Sequence, residues 1–243
     1  MSDSPKIRLY VEHPLAPDQT VDLSRDQANY LFNVMRLSVG DGVALFNGKD
    51  GEWRADVAEA SRRGGQLVCR DQTAPLRPPP DLWLLFAPIK KARTDFIVEK
   101  AVELGVARIL PVQTEFTNAG RIRQDRLQAH AIEAAEQCGA TFVPAVDDLQ
   151  TLRAVLGAWP GDRHLIFADE TIAGARASLD HAPQAEKWAI LIGPEGGFSQ
   201  AERTYLRGLP LVTPISLGPR ILRADTAAVA ALTLWQADRG DWR

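Results

Sequence analysis

The sequence predicts an α/β protein in which a small β-barrel over residues 1–74 precedes a mostly parallel sheet with helices on both faces over residues 81–243. Three observations predict it. Short strands separated by glycine turns fill the first part. PLRPPP at residues 75–80 then combines fixed φ angles with missing backbone donors, which makes a stiff, extended linker. Beyond the linker, apolar runs alternate with helical periodicity, the pattern of a parallel sheet.

Taken in order, strands are expected at residues 8–11, 42–46, 52–59 and 66–70, with turns at NGKDG (47–51) and RRGG (62–65). A helix at 24–37 interrupts them, its Ser24 and Gln27 spaced as a capping box. After the linker, residues 81–88 form an apolar run suited to a strand buried on both faces. Residues 94–104 form a helix stopped by Gly105, with Ile97, Ala101 and Leu104 on one face. Strands at 108–113, 163–168, 188–192 and 214–217 follow, with a helix at 124–138 ending at Gly139. A last helix at 224–238 presents Ala227, Ala231, Leu234 and Trp235 to the sheet.

Composition narrows the function. A hydrophobic content of 45% over 243 residues suits a globular core. The first twenty residues carry no basic leader running into an apolar stretch, and no run is long enough to span a bilayer, which predicts a soluble cytoplasmic chain without membrane contact. Cys69 and Cys138 lie far apart without CxxC or histidine spacing, so each is expected as a small core residue, and no metal site is expected. The net charge of −3 argues mildly against nucleic-acid binding. A local basic patch remains open at Lys90, Lys91 and Arg93, to which Arg220 and Arg223 can add; the alternative is ordinary surface charge.

In open α/β sheets, ligands bind beyond the carboxyl ends of strands. Two loops stand there. GPEGGFSQAE follows the strand WAILI, and its Ser199 and Glu202 have capping-box spacing for a following helix. Its glycines admit close backbone approach to a ligand. The spacing matches neither a phosphate loop nor a dinucleotide fingerprint, and a glycine turn without ligand stays open. SLGPRILRADTA, at residues 216–227, places Arg223 and Asp225 where a desolvated ion pair can form; Asp225 as a simple helix cap with Arg223 pairing to it is the alternative.

GPEGGFS followed about twenty residues later by LGPRILRADTA resembles the paired motif of the RsmE family of ribosomal RNA methyltransferases. RLYV (8–11), LFNVMRL (31–37), FIVEKAVELGV (96–106) and EAAEQCG (133–139) extend the resemblance over both parts. It implies a PUA-like β-barrel followed by a SPOUT domain with a deep trefoil knot, and a homodimer. Strand alternation alone predicts an ordinary unknotted sheet. It implies S-adenosyl-L-methionine as cofactor, held by Ile192, Gly193, Pro194, Glu195, Gly196 and Gly197, by Ser216, Leu217, Gly218, Ile221, Leu222 and Thr226, and by the FADE segment at 167–170, with Phe167 and Asp169, as a third wall. Two departures stand out: Asp225 where the family often has glutamate, and Lys90, Lys91 and Ala92 where it often has KGD-like residues.

The implied reaction is methylation of N3 of a uridine in the decoding region of 16S rRNA within the 30S subunit. Arg223 is the candidate to stabilise charge on the uracil oxygens, with Asp225 or a water orienting it or taking the proton. Arg8, Arg36, Lys90, Lys91, Arg93 and Arg220 are candidate RNA contacts. A related knotted enzyme acting on a ribose hydroxyl or a tRNA base, and a non-catalytic RNA-binding assembly factor, are the rival readings.

Overall fold

A computed structural model describes residues 5–61, 63–119 and 121–243, so part of the RRGG turn and the first four residues lie outside the described residues. The chain divides into two compact units, one running to Pro78 and taking in Ala135–Val143, the other comprising Pro79–Ala134 and Pro144–Arg243.

In the first unit, β1 (Arg8–Tyr10), β2 (Thr20–Asp22), β3 (Gly42–Phe46), β4 (Glu52–Ala60) and β5 (Gly65–Ala74) join in the order β1-β3-β4-β5-β2. Only β1 and β3 run parallel. Register shifts between β4 and β5 bend the sheet into a curl. Its concave face packs Leu9, Val21, Val43, Leu45, Val57 and Leu67 into one core, which Ala28 and Leu31 complete. Cys69 is buried in that core, whereas Cys138 is exposed in the last turn of its helix, against the expectation of two core cysteines.

NGKDG is a turn because the Asn47 side-chain oxygen accepts from the amides of Lys49 (3.0 Å) and Asp50 (2.8 Å). Gly51 closes it at φ +77°, where the Ala74 carbonyl leaves no room for a Cβ.

The expected helix at 24–37 is shorter and changes type. Ser24 caps α1 (Arg25–Ala28) through the predicted box, but Asn29–Val34 then form a π-helical turn. Met35 donates to the carbonyl of Tyr30, five residues back, and Arg36 ends the segment at φ +59°. β2 escaped notice because three residues carry too little period to read.

Residues 135–143 group with this unit, unlike the contiguous division expected from the proline linker, because of contacts far apart in sequence. The Arg8 guanidinium donates to the carbonyls of Ala135 (2.6 Å), Glu136 (2.9 Å) and Ala140 (2.9 Å), and the Arg77 amide donates to Thr141 Oγ1.

The second unit holds β6 (Leu82–Phe86), α2 (Lys91–Glu103), β7 (Arg108–Gln113), α3 (Gln124–Cys138, whose last turn groups with the first unit), β8 (Ala145–Val146), β9 (Gln150–Thr151), α4 (Leu152–Gly157), β10 (Arg163–Ala168), β11 (Lys187–Ile192), α5 (Gln200–Arg207), β12 (Val212–Ile215) and α6 (Ala224–Asp238). Its strands order as β12-β10-β11-β6-β7-β8, with β9 also on β7, and every pairing is parallel. β6 and β11 sit at the centre because their apolar runs bury both faces: Leu82, Leu84, Leu85 and Phe86 are fully buried, as are Ala189, Ile190 and Leu191.

β12 lies two residues earlier than expected. Pro214 is tolerated at this edge position, and the chain leaves the sheet at Ser216, whose hydroxyl takes up the Gly218 amide. On α6, Leu232 rather than Leu234 joins Ala227, Ala231 and Trp235 in the core.

Candidate active site

All strands of the second unit run in one direction, so the loops leaving β10, β11 and β12 emerge at one edge of the sheet. Together with the start of α6 they enclose a small cleft of about 80 Å³ that opens to solvent at its mouth. Ala168, Asp169 and Glu170 contribute from β10, Ile192 to Glu195 and Gly197 from β11, and Ile215, Leu217 and Gly218 from β12. Arg220, Ile221 and Leu222 continue the wall to α6, where Ala224 and Ala227 close it.

The glycine loop is shaped by what presses on its back. Gly197 stands at φ +68°, and the Glu170 carboxylate occupies the place a Cβ would take. Glu170 is itself held by Arg203 at 3.0 Å. A Cβ on Gly193 would meet the Phe198 ring at 3.0 Å, so this glycine lets the apolar layer rise against the loop. Ser199 then caps α5, with the reciprocal bond from Glu202 that the spacing predicts.

Asp169 has a fully buried side chain, and a charge there needs partners. It accepts from the Thr171 amide (3.0 Å) and hydroxyl (2.7 Å), and Arg207 forms an ion pair with it. Its carboxylate is thus committed to holding the β10 loop.

Among the expected cofactor residues, Asp169, Ile192, Gly193, Pro194, Glu195, Gly197, Leu217, Gly218, Ile221 and Leu222 line the cleft. Four others do not. Phe167 alternates to the far side of β10, where its ring meets Phe198 edge-on at 5.8 Å. The Ser216 hydroxyl is spent on the carbonyls of Ala175 and Gly218 and the Gly218 amide. Thr226 is exposed because Ala224 and Ala227, three apart, hold the inward face of α6. Gly196 is exposed and faces Phe116, whose Cβ lies 3.2 Å from where a Cβ on Gly196 would stand. Conversely, Ala173, Ile215, Ala224 and Ala227 line the cleft unannounced, since small and aliphatic residues carry no chemical signal and only the fold gathers them, while Ala168 and Glu170 join from the FADE segment expected as a wall.

Arg223 and Asp225 do not pair. Asp225 accepts from Arg93, 3.1 Å away at the start of α2, while Arg223 is exposed with no polar partner among the described residues. The reason is local: Arg223 is the extended N-cap residue of α6, and residues two apart at a helix start diverge. Asp225 does not cap in the usual way either, reaching only the adjacent Thr226 amide at 3.0 Å.

The basic candidates separate likewise. Lys90, Lys91, Arg36 and Arg220 are exposed. Arg93 is committed to Asp225. Arg8 is committed inside the first unit, to Glu52 at 2.7 Å and over the Phe46 ring at 4.5 Å, so it leaves the set of RNA contacts.

Residues 77–236 match the RNA methyltransferase domain model and residues 23–68 the RNA methyltransferase PUA domain model. The ribosomal RNA small subunit methyltransferase E of Rickettsia conorii is 30% identical, with 93% of each chain covered. Among solved structures, a methyltransferase of Legionella pneumophila in complex with its bound cofactor SAM is 30% identical with a TM-score of 0.86, covering 97% of this chain and 98% of that one. The ribosomal RNA small subunit methyltransferase E of Neisseria gonorrhoeae, bound to S-adenosyl methionine, is 29% identical with a TM-score of 0.84, covering 98% and 99%. With a PUA-like unit, a parallel-sheet domain and a cleft at that sheet's carboxyl edge, the chain belongs to the ribosomal RNA small subunit methyltransferase E family.

Proposed function

We propose that the chain methylates N3 of a uridine in the decoding region of 16S rRNA, with S-adenosylmethionine as donor, acting on the 30S subunit in the cytoplasm as a homodimer with a trefoil-knotted second domain. The observation that carries the reading is the convergence of three parallel strand ends and α6 on one narrow cleft.

The residues present fit the cofactor. Ile192, Ile215, Leu217 and Leu222 offer aliphatic walls to an adenine ring, and Gly193, Gly197 and Gly218 line the cleft without side-chain bulk. Glu195, exposed at its edge and without an ion pair among the described residues, can attract a sulfonium charge. The cofactor supplies an electrophilic methyl group. The relatives from Legionella and Neisseria, both solved with this cofactor, support the assignment.

The chain's own task is to orient the base and favour loss of its N3 proton. N3 lies on the pairing edge, so the uridine must be unpaired or extruded. Arg223 stands between the cleft residues Leu222 and Ala224 with its guanidinium uncommitted, and it stabilises negative charge on the uracil oxygens as the proton passes to solvent. Asp225, held by Arg93, anchors the start of α6 rather than orienting Arg223. Arg36, Lys90, Lys91 and Arg220 contact RNA phosphates.

The test is to incubate the protein and S-adenosylmethionine with small subunits lacking the modification and map reverse-transcription stops. A methyl on N3 blocks pairing, so a single new stop at one uridine is expected. A subunit that gains no stop rules the assignment out, and calorimetry without S-adenosylmethionine binding leaves only an assembly role.

A further inference from the structure

We propose that Phe116 is the stacking platform that holds the target pyrimidine beside the cleft, an inference that rests on the function proposed above. After β7 the chain turns at the same edge of the sheet as the cleft loops, since β7, β6 and β11 are parallel neighbours. Phe116 sits on that turn and is 42% exposed.

The turn is fixed from two sides. Within it, Thr117 Oγ1 accepts from the Thr114 amide at 2.8 Å and meets the Thr114 hydroxyl at 2.9 Å, while the Thr117 amide donates to the Thr114 carbonyl. From outside, Glu202 Oε1 accepts from the Glu115 amide at 2.8 Å, and Glu202 Oε2 accepts from the Ser199 amide at 2.9 Å. One carboxylate therefore ties the β7 turn to the residue that ends the glycine loop. Between these anchors Phe116 packs on Gly196: its Cβ and Cγ lie 3.2 and 3.6 Å from where a Cβ on Gly196 would stand. The neighbours of Gly196 on either side, Glu195 and Gly197, line the cleft.

A half-exposed phenyl ring on a rigid turn contributes little to a core, but it is prepared for stacking. A uridine taken out of its strand loses its stacking neighbours, and an aromatic side chain restores a stacking surface. Stacking engages the face of the ring and leaves the N3 edge free to react. Because the turn is already ordered, little entropy is lost on binding.

The experiment compares wild type, Phe116→Ala and Phe116→Trp in three measurements: calorimetry with S-adenosylmethionine, steady-state methylation of unmodified small subunits, and light scattering. The expected result is that Phe116→Ala keeps cofactor affinity and molecular mass but loses about ten- to a hundredfold in kcat/KM for the subunit, with Phe116→Trp restoring most of it. Unchanged kcat/KM in Phe116→Ala overturns the proposal. So does a parallel loss of cofactor affinity, which makes Phe116 a support of the cofactor loop, or a fall in mass, which makes it a dimer contact. A wild-type protein that binds cofactor yet methylates no subunit overturns the proposed function and the stacking role with it.

Discussion

Arg223 and Asp225 stand two positions apart and serve different sides of α6, the first exposed beside the cleft and the second locked to Arg93. Removing the guanidinium therefore separates chemistry from binding: Arg223→Ala is expected to abolish methyl transfer while S-adenosylmethionine affinity changes less than threefold or so by calorimetry. The glycine loop is equally specific. Gly197→Ala meets both a left-handed backbone and the Glu170 carboxylate, so it should lose at least about 1–2 kcal/mol of stability and weaken cofactor binding. Gly139→Ala is the control, because Gly139 stands at φ +78° with open space around it. It should carry the backbone penalty in thermal melts and leave cofactor affinity unchanged. Equal affinities for the two variants would show that the Gly197 loop does not shape the cleft. At this scale the sequence revealed the glycines and the arginine, since their chemistry is visible by type. It did not show that Phe167, Ser216 and Thr226 stay outside the cleft lining, since side-chain direction depends on strand alternation and helix phase that only the folded chain sets.

Between elements, the effect of a polar contact depends on its partners and its burial. The Arg93–Asp225 pair joins the first turns of α2 and α6, and its side chains are 35% and 18% exposed. A double-mutant cycle by urea unfolding should give about 1 kcal/mol or less of coupling for Arg93 with Asp225, and none for Arg223 with Asp225. Strands β10 and β12 are linked by His164, whose Nε2 lies 2.8 Å from Thr213 Oγ1 and whose ring meets Trp188 edge-on. Burial pushes its pKa below the ordinary 6.5. The unfolded chain thus takes up the proton first, so this contribution to stability is complete above about pH 6.5 and is lost as pH falls toward the folded value. Thermal melts between about pH 8 and about pH 5 should show that loss, and His164→Gln should flatten it. A variant with the wild-type slope would clear His164 of the effect. Long elements such as α3 and α6 were legible because many residues vote for one period, and β6 because its apolar run is unbroken. The π-helical turn at Asn29–Val34 was not, since its i to i+5 bonding leaves the same apolar spacing as an α-helix over so short a span.

For the whole molecule, Lys90 and Lys91 stand exposed at the start of α2 in a chain of net charge −3, and the proposed function gives them the contacts to RNA phosphates. Lys90→Gln with Lys91→Gln should weaken subunit binding and flatten its salt dependence by about 1 in log–log slope for each phosphate no longer neutralised. A slope equal to wild type removes them from the interface. The sequence by itself determined the fold class, the parallel sheet, the bounds of β3, β7, β10, α3 and α6, and the two glycine-marked loops of the cleft, because hydrophobic period and glycine chemistry are local properties. Tertiary structure alone decided that Asp225 belongs to Arg93, that Arg8 is consumed by carbonyls more than a hundred residues away, and that Glu202 fastens the Phe116 turn to the glycine loop. Each of these is a pairing of charged or polar groups distant in the chain. Which donor reaches which acceptor depends on where the sheet brings them, and no local pattern carries that information.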